Sequence, residues 1–179
     1  MKAPMIRKYY IIIYIFLCVA TSAVAQYEPQ AWNYGLTASK SAGLESEVGF
    51  GARIEYAPNC YTTYMAEYNR SFDFGSTEED LSFDEIALGV NLILFNWYPT
   101  TITAGMGYVG NNSSLIKEDS DDAFLVLSSG DFNHGGQIKL RALHQVSIPV
   151  HIFAELNLKS LGNDYHTFLV GFSYDFNAR

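Results

Sequence analysis

The side chains with the clearest chemical potential in this chain are charges set inside otherwise apolar segments. Apolar residues beside them stand at alternate positions, so the charges fall together on the opposite face. If that face is enclosed, the charges must pair with each other or bind water, because an isolated buried ion is very costly. Paired charges would form a plug of salt bridges, whereas hydrated charges would line an ion path. A narrow barrel has room only for side chains, which favours the plug. Three are basic and four are acidic: Arg53, Glu55, Glu67, Glu85, Lys139, Arg141 and Glu155.

Nucleophilic catalysis is the second chemistry to consider, because the chain has four histidines. A histidine base must reach its serine nucleophile by a hydrogen bond, and strand neighbours two residues apart share a face. His166 and Thr167 are adjacent, so their side chains point to opposite faces. None of the histidines has a serine at a spacing of two: His134, His144, His151 and His166. The sequence therefore predicts a protein that is not an enzyme and uses no cofactor.

Metal binding is the third chemistry. His134 and His166 could meet at one rim of a barrel. An acidic cluster lies in one long polar connection: Glu118, Asp119, Asp121 and Asp122. Its spacing does not match an established calcium loop such as the EF-hand, and an acidic run is usually solvated. We therefore predict no metal site.

Apolar residues recur at every second position in eight segments, which is the pattern of strands with one apolar face. The segments are residues 32–38, 48–56, 64–74, 86–94, 102–108, 136–142, 150–158 and 168–176. The apolar face is expected to contact lipid, most clearly at these residues: Ile86, Leu88, Val90, Leu92, Leu94, Phe168, Val170 and Phe172. The opposite face is rich in glycine, alanine and threonine, which suits a narrow lumen better than a water-facing surface. This composition argues against a soluble lipocalin-like barrel.

The connections between these segments alternate in length. Three short ones each contain a proline, at residues 57–59, 96–99 and 147–149, whereas residues 40–46, 75–80, 111–130 and 160–164 form more polar and usually longer ones. Tight periplasmic turns and longer extracellular loops are typical of outer-membrane barrels. An even strand number then places both mature termini in the periplasm. The apolar stretch Ala123–Leu127 is expected to extend a strand beyond the membrane.

Aromatic residues cluster near both predicted ends of the strands, as the two interfacial girdles of a membrane barrel do. The periplasmic group is Trp32, Tyr34, Tyr56, Phe95, Trp97, Tyr98, Tyr174 and Phe176. The extracellular group is Phe72, Phe74, Tyr108 and Phe132. The sequence thus predicts an all-β protein, a closed antiparallel eight-stranded transmembrane β-barrel.

Residues 1–25 are predicted to be a cleaved signal peptide. Lys2, Arg7 and Lys8 precede an apolar run from Tyr9 to Ala20, which is shorter than the about 20 residues of a spanning helix. Residues 23–25 supply a small-x-small cleavage site, so the mature barrel would cover residues 26–179.

The acidic charge and the cysteine content limit the partners of the mature chain. Cleavage would remove three basic residues and make the formal net charge of −8 more negative by three. An acidic chain is not expected to bind nucleic acid. Cys60 would be the one remaining cysteine, so an internal disulfide cannot form.

The C-terminal segment carries the most specific motif. Residues Gly171 to Phe176 read Gly-Phe-Ser-Tyr-Asp-Phe. This resembles the glycine-x-x-aromatic-x-aromatic signal of small eight-stranded outer-membrane barrels, the class typified by the OmpA transmembrane domain. The resemblance implies that Gly171, Tyr174 and Phe176 are read by the barrel assembly machinery during biogenesis.

The resulting functional hypothesis is a non-catalytic barrel of the bacterial outer membrane. Its expected partners are outer-membrane lipid, the assembly machinery and other outer-membrane proteins in a larger envelope complex, in which it would be a structural or accessory subunit. One alternative is a surface adhesin or ligand-binding loop platform. Another is an enzyme that modifies outer-membrane lipid.

Overall fold

The computed structural model describes residues 29–42, 47–73, 82–113, 127–129, 132–161 and 166–176. The predicted signal peptide and the acidic cluster at residues 118–122 lie outside these ranges. No helix in the described ranges is long and apolar enough to cross a membrane. The strands are β1 (Ala31–Ala42), β2 (Glu47–Ala57), β3 (Thr62–Asp73), β4 (Phe83–Trp97), β5 (Thr100–Asn111), β6 (Leu127–Ser129), β7 (Phe132–Ser147), β8 (Val150–Lys159) and β9 (His166–Asp175).

Eight of these strands form a closed antiparallel ring. Neighbours along the chain pair in sequence, and β1 closes the ring by pairing with β9 from Asn33↔Asp175 to Ala42↔His166. On the far side β5 pairs directly with β7, from Thr100↔His144 to Asn111↔Asn133. Closure leaves the ring without a free strand edge. The predicted eight-stranded barrel is therefore confirmed.

The ninth strand, β6, is an addition that the sequence did not predict as a separate element. Its three residues pair with Phe132–His134 of β7. One edge of β7 pairs with β5 along this segment. The other edge pairs with β8 only from Gln137 onward, so residues 132–134 are free on that edge to pair with β6. Leu127, the last residue of the apolar stretch expected to extend a strand, thus begins a strand of its own. Residues 123–126 lie outside the described part of the chain.

The barrel has a turn end and a loop end. The turn end carries the connections at residues 58–61, 98–99 and 148–149, together with the start of β1 and the finish of β9. The loop end carries residues 43–46, 74–82, 112–131 and 160–165. The first of these connections is shorter than predicted, because β1 continues its pairing with β9 through Ser41 and Ala42. Residues 43–46 therefore match the β2–β3 turn in length, and the alternation of lengths is less strict than the sequence indicated.

The alternating pattern separates the two faces of each strand. In β4, Glu85, Ala87 and Asn91 are buried in the lumen. The eight residues predicted to face lipid all lie on the outer surface, where each is 36–52% exposed: Ile86, Leu88, Val90, Leu92, Leu94, Phe168, Val170 and Phe172.

A β-bulge in β4 explains how Phe95 and Trp97, two members of the predicted periplasmic aromatic group, reach the outer surface. Pairing with β5 shifts between Ile93 and Phe95, so Leu94 is the extra residue. After the bulge the odd-numbered Phe95 and Trp97 occupy the outer face, and Trp97 is 62% exposed. A bulge re-aims side chains in this way because it adds one residue to one strand of the pair.

The outer wall generates the first testable prediction. Leu88→Arg should lower the free energy of unfolding in lipid vesicles by about 2–4 kcal/mol, because it places a cation midway along the apolar wall. Tyr98→Arg, at the tip of a turn, is the matched control and should cost less than about 1 kcal/mol. Urea titrations followed by tryptophan fluorescence measure both values. Equal losses in the two variants would contradict the lipid-facing position of Leu88.

Candidate functional site: the filled lumen

Arg53 is the centre of the buried charge network. Its guanidinium from β2 donates two hydrogen bonds to Glu155 of β8, Nη1 to Oε2 and Nη2 to Oε1, both 2.8 Å long. Its Nε donates to Glu67 Oε2 at 2.6 Å, and Glu67 is its register partner on β3. The Arg53 side chain is 1% exposed. A single cation thus joins carboxylates from two sides of the lumen, in the bidentate geometry that gives the strongest ion pairs.

Arg141 makes a second bridge across the barrel. Its Nη2 donates to Glu55 Oε2 at 3.1 Å, and its Nη1 pairs with Glu55 Oε1. Strands β7 and β2 are separated by β8, β9 and β1, so they stand opposite each other in the ring. Glu55 Oε1 also lies 3.7 Å from Arg53 Nη1, which connects the two bridges.

Two lysines complete the network. Lys139 Nζ lies 3.4 Å from Glu155 Oε1 and 3.3 Å from Met65 Sδ. Lys159 Nζ pairs with Glu85 Oε1 at 2.5 Å, across from β8 to β4. Lys159 was absent from the set predicted from the sequence. The alternating pattern does indicate its position, because Lys159 follows Glu155 and Asn157 at spacings of two and lies on the same face of β8.

The charges of these ion pairs balance. All seven charged residues singled out from the sequence are buried in the lumen, and Lys159 makes four cations and four anions in this set. Asp175 is also buried, nearer the turn end. Buried ions are very costly when alone but tolerable when each has a partner and hydrogen bonds. Each of these eight ions has at least one partner of opposite charge, and Arg53, Glu55 and Glu155 each have at least two.

An apolar layer closes the lumen at the turn end. Phe153 packs in a cluster with Ala31, Ala57 and Leu143, and Ile93 packs against it. The Arg53 guanidinium carbon lies 4.7 Å from the Phe153 ring centre, and that of Arg141 lies 5.8 Å away. Cation–π contact therefore joins the charged layer to the apolar layer. The alternating pattern predicts apolar residues on the outer face and does not predict this layer, although Ile93, Leu143 and Phe153 share the face of the lumen charges.

Polar side chains fill the loop side of the lumen. Asn133 Nδ2 donates to Asn111 Oδ1 at 3.1 Å and to the backbone carbonyl of Ser113 at 2.9 Å. Phe83, Val109 and Leu161 are buried at the same end. From one end to the other, the described lumen is occupied by side chains.

Gly171, predicted to belong to the assembly signal, has a packing role in this arrangement. A Cβ atom added there would meet the backbone carbonyl of Leu36 and would lie 3.0 Å from Phe153 Cε1. A glycine is therefore required for the backbone of β1 and the Phe153 ring to approach β9.

The other two residues of the predicted assembly signal lie on the outer face at the turn end. Tyr174 is 43% exposed and Phe176 is 64% exposed. The Phe176 ring stands edge-on to Tyr34 and Tyr174, with both ring centres 4.9 Å away. These aromatic contacts lie at the seam where β9 closes on β1.

Three of the four histidines make a hydrogen bond through Nδ1, and the fourth, His151, lies in the lumen. Tyr108 Oη and His134 Nδ1 share a hydrogen bond of 2.6 Å, and Thr100 Oγ1 and His144 Nδ1 share one of 2.8 Å. His166 Nδ1 accepts from the Lys159 backbone, and His151 is buried in the lumen. The expectation that His134 and His166 could meet was wrong, because β8 separates their strands. The described residues include no group of three or more potential metal ligands.

Comparison with known proteins finds similarity in structure. No family model matches the chain, and no curated protein matches its sequence. The N-terminal barrel domain of Pseudomonas aeruginosa OprF has a TM-score of 0.59 at 10% identity, over 83% of this chain and 98% of that one. Neisserial surface protein A has a TM-score of 0.54 at 14% identity, over 82% and 96%. The chain has the fold of the small eight-stranded outer-membrane β-barrels.

A designed protein shares this fold as well. A de novo transmembrane β-barrel has a TM-score of 0.57 at 13% identity, over 83% of this chain and 98% of its own. At such identities the likeness shows the barrel fold alone. The same fold is thus reached by a designed sequence that shares 13% identity with this chain.

The network predicts unequal costs for two arginine substitutions. Arg53→Met should lower the free energy of unfolding by about 3–5 kcal/mol, since it leaves buried carboxylates without their partner. Arg70→Met is the control: Arg70 pairs with Asp84 at 3.2 Å on the outer surface and is 49% exposed, so its loss should cost about 0–1 kcal/mol. Denaturant titration of both refolded barrels tests this, and a mild effect of Arg53→Met would argue against a tightly paired lumen.

The packing role of Gly171 can be tested with a pair of alanine variants. Gly171→Ala should destabilise the refolded barrel by about 1–3 kcal/mol through overpacking against β1 and Phe153. Gly136→Ala should have little effect, because a Cβ atom there would have no neighbour closer than 3.9 Å. The readout is the denaturation midpoint in detergent. Similar midpoints for the two variants would show that the Gly171 contact is not limiting.

Proposed function

We propose that this chain is a non-catalytic outer-membrane barrel that serves as a structural or accessory subunit of a larger cell-envelope assembly. The observation that carries this proposal is the filled lumen, in which opposing charges are paired and an apolar layer covers the turn end. A barrel filled in this way offers no continuous water path. Its interactions must then involve the outer wall, the loops or the short turns.

The outer wall supports a membrane location. Large apolar side chains are exposed on every strand of the ring, among them Leu36, Phe50, Leu88, Met106 and Leu156. Soluble proteins rarely expose contiguous apolar surfaces of this extent, whereas a lipid-facing barrel wall requires them. Trp32, Trp97 and Tyr98 at the turn end suit one membrane interface.

The proposed orientation places the turn end, and with it both mature termini, in the periplasm. Its support is the two-residue length of the turns at residues 98–99 and 148–149 compared with the connections at residues 74–82 and 112–131. Short turns on the periplasmic side and longer loops outside are the rule in bacterial barrels.

Electrical recording tests the proposal of a closed lumen. Purified barrel inserted into a planar lipid bilayer should give no steady conductance, because the ion pairs around Arg53 and the Phe153 layer occupy the cross-section. A porin reconstituted in the same way is the positive control. Steady porin-like currents would show that the charged side chains line a water path, and a passive structural role would then be wrong.

Assembly by the barrel machinery is a further part of the proposal, resting on Tyr174 and Phe176. Phe176→Ala should reduce the amount of protein in the outer-membrane fraction of cells, while refolding in detergent still yields a heat-modifiable barrel. The reason is that two aromatic contacts contribute only about 0.5–1.5 kcal/mol each to the finished structure. Cell fractionation and gel mobility with and without boiling measure the two effects. Normal membrane levels would argue against a targeting role for Phe176.

The subunit and the adhesin hypotheses differ in what they bind. Ail, the attachment invasion locus protein of Yersinia pestis, has been crystallised in complex with a heparin analogue, sucrose octasulfate. The formal net charge of −8 disfavours an anionic ligand of that kind here.

Copurification from native membranes should recover a stable protein partner if the chain is a subunit. Binding to cells that depends on the loops, without such a partner, would favour the adhesin.

A further inference from the structure

Gly136 is an unusual glycine on the outer face of β7. At nine of the ten glycines in the described ranges, an added Cβ would lie 3.0 Å or less from another atom, which explains the glycine by close approach. At Gly136 the nearest atoms, the Gly107 carbonyl oxygen and Ser160 Oγ, would be 3.9 Å away. Its φ is also outside the left-handed region. Neither packing nor backbone conformation within the described chain requires a glycine here, although glycine weakens a strand.

The cross-strand neighbour of Gly136 does not cover it. Tyr108 of β5 is its register partner, and an aromatic ring in that position commonly packs over a strand glycine. Here no Tyr108 atom lies within 4 Å of the added Cβ. The Tyr108 hydroxyl instead bonds His134 Nδ1 at 2.6 Å and approaches Gly110, towards the loop end. The hydrogen bond with His134 therefore keeps the ring away from Gly136.

The uncovered glycine opens a groove in the outer wall. The groove has a volume of about 500 Å³ and crosses β5, β7 and β8. Its apolar walls are Met106, Ile138 and Leu158, which are 69%, 63% and 46% exposed. Ser160 lies at its loop-end limit, where its Oγ accepts a hydrogen bond of 2.8 Å from the Gly136 backbone. The groove is thus apolar along its length and polar at the end nearest the loops.

We propose that this groove seats one acyl chain of a lipid in the membrane leaflet at the loop end. The inference rests on the proposed outer-membrane location, since the groove is continuous with the wall that this location places in lipid. A flexible hydrocarbon chain can lie against the exposed apolar side chains of this open groove. Ser160 and the Tyr108–His134 pair are on its loop side, where the polar headgroup of such a lipid would lie. Glycine in a strand often marks a position where a ligand approaches the backbone closely.

Lipid retention by the whole barrel tests the proposal, with purified lipid A as the probe. Mass spectrometry of the intact protein released from detergent micelles gives the fraction that carries one lipid. Gly136→Leu fills the groove and should lower this fraction about tenfold, equivalent to about 1.4 kcal/mol of binding free energy. Ala142→Leu is the control, because Ala142 lies exposed on the outer face of the same strand but does not line the groove. Heat-modifiable gel mobility verifies that each variant is folded, and Gly136→Ala provides a smaller substitution at the same site.

Different results of these measurements would contradict the acyl-chain site and the proposed membrane location. One retained lipid in wild type and Ala142→Leu, with loss in Gly136→Leu, supports the acyl-chain site. Equal retention in Gly136→Leu overturns it, and so does a second copy of the chain that binds in place of lipid. Tighter retention of phosphatidylethanolamine than of lipid A overturns the assignment to the loop-end leaflet. Failure of the wild-type barrel to float with lipid vesicles would contradict the membrane location itself.

Discussion

The guanidinium of Arg53 lies between the carboxylates of Glu67 and Glu155, and the interior of the barrel is arranged around this contact. An ion removed from water in so narrow a space is tolerable only if its partners reach it with good geometry. The register of β2 with β3 supplies Glu67, and the ring closure brings Glu155 across from β8. Pairing of strands and pairing of charges therefore depend on each other. A slip of one residue in either strand would turn its carboxylate towards the outside.

The same constraint explains where small and aromatic residues occur. Gly171 allows the Phe153 ring to lie beneath Arg53 and Arg141, so the apolar layer and the charged layer share one packing unit. On the outer wall, a Cβ atom added at Gly110 would meet the Tyr108 hydroxyl and the Phe132 ring, whereas one added at Gly136 would meet neither. Gly136 is thus informative because it lacks the kind of neighbour that accounts for the lumen glycines.

The alternation of residues was sufficient to predict the barrel, its strand number and the exposed wall, because a period of two fixes which side chains share a face. It did not predict β6, since three residues are too few to show a period. Lys159 was overlooked because the apolar run of β8 ends at Leu158, although the inward face continues by one residue. The apolar layer around Phe153 was missed for another reason. The apolar residues of this layer stand at odd-numbered positions, as the lumen charges do. That they contact each other across the lumen is evident only once the strands are closed into a ring.

A double-mutant cycle between Arg53 and Glu155 tests the account of the lumen most directly. The free energy of unfolding would be measured in vesicles for Arg53→Met, Glu155→Leu and the double variant. Removing both partners keeps the network neutral, so the double variant should be more stable than the summed single losses predict, by about 1–3 kcal/mol of coupling. Additive losses would contradict the account, because they would show that the two side chains contribute to stability independently and that the barrel is not organised around their contact.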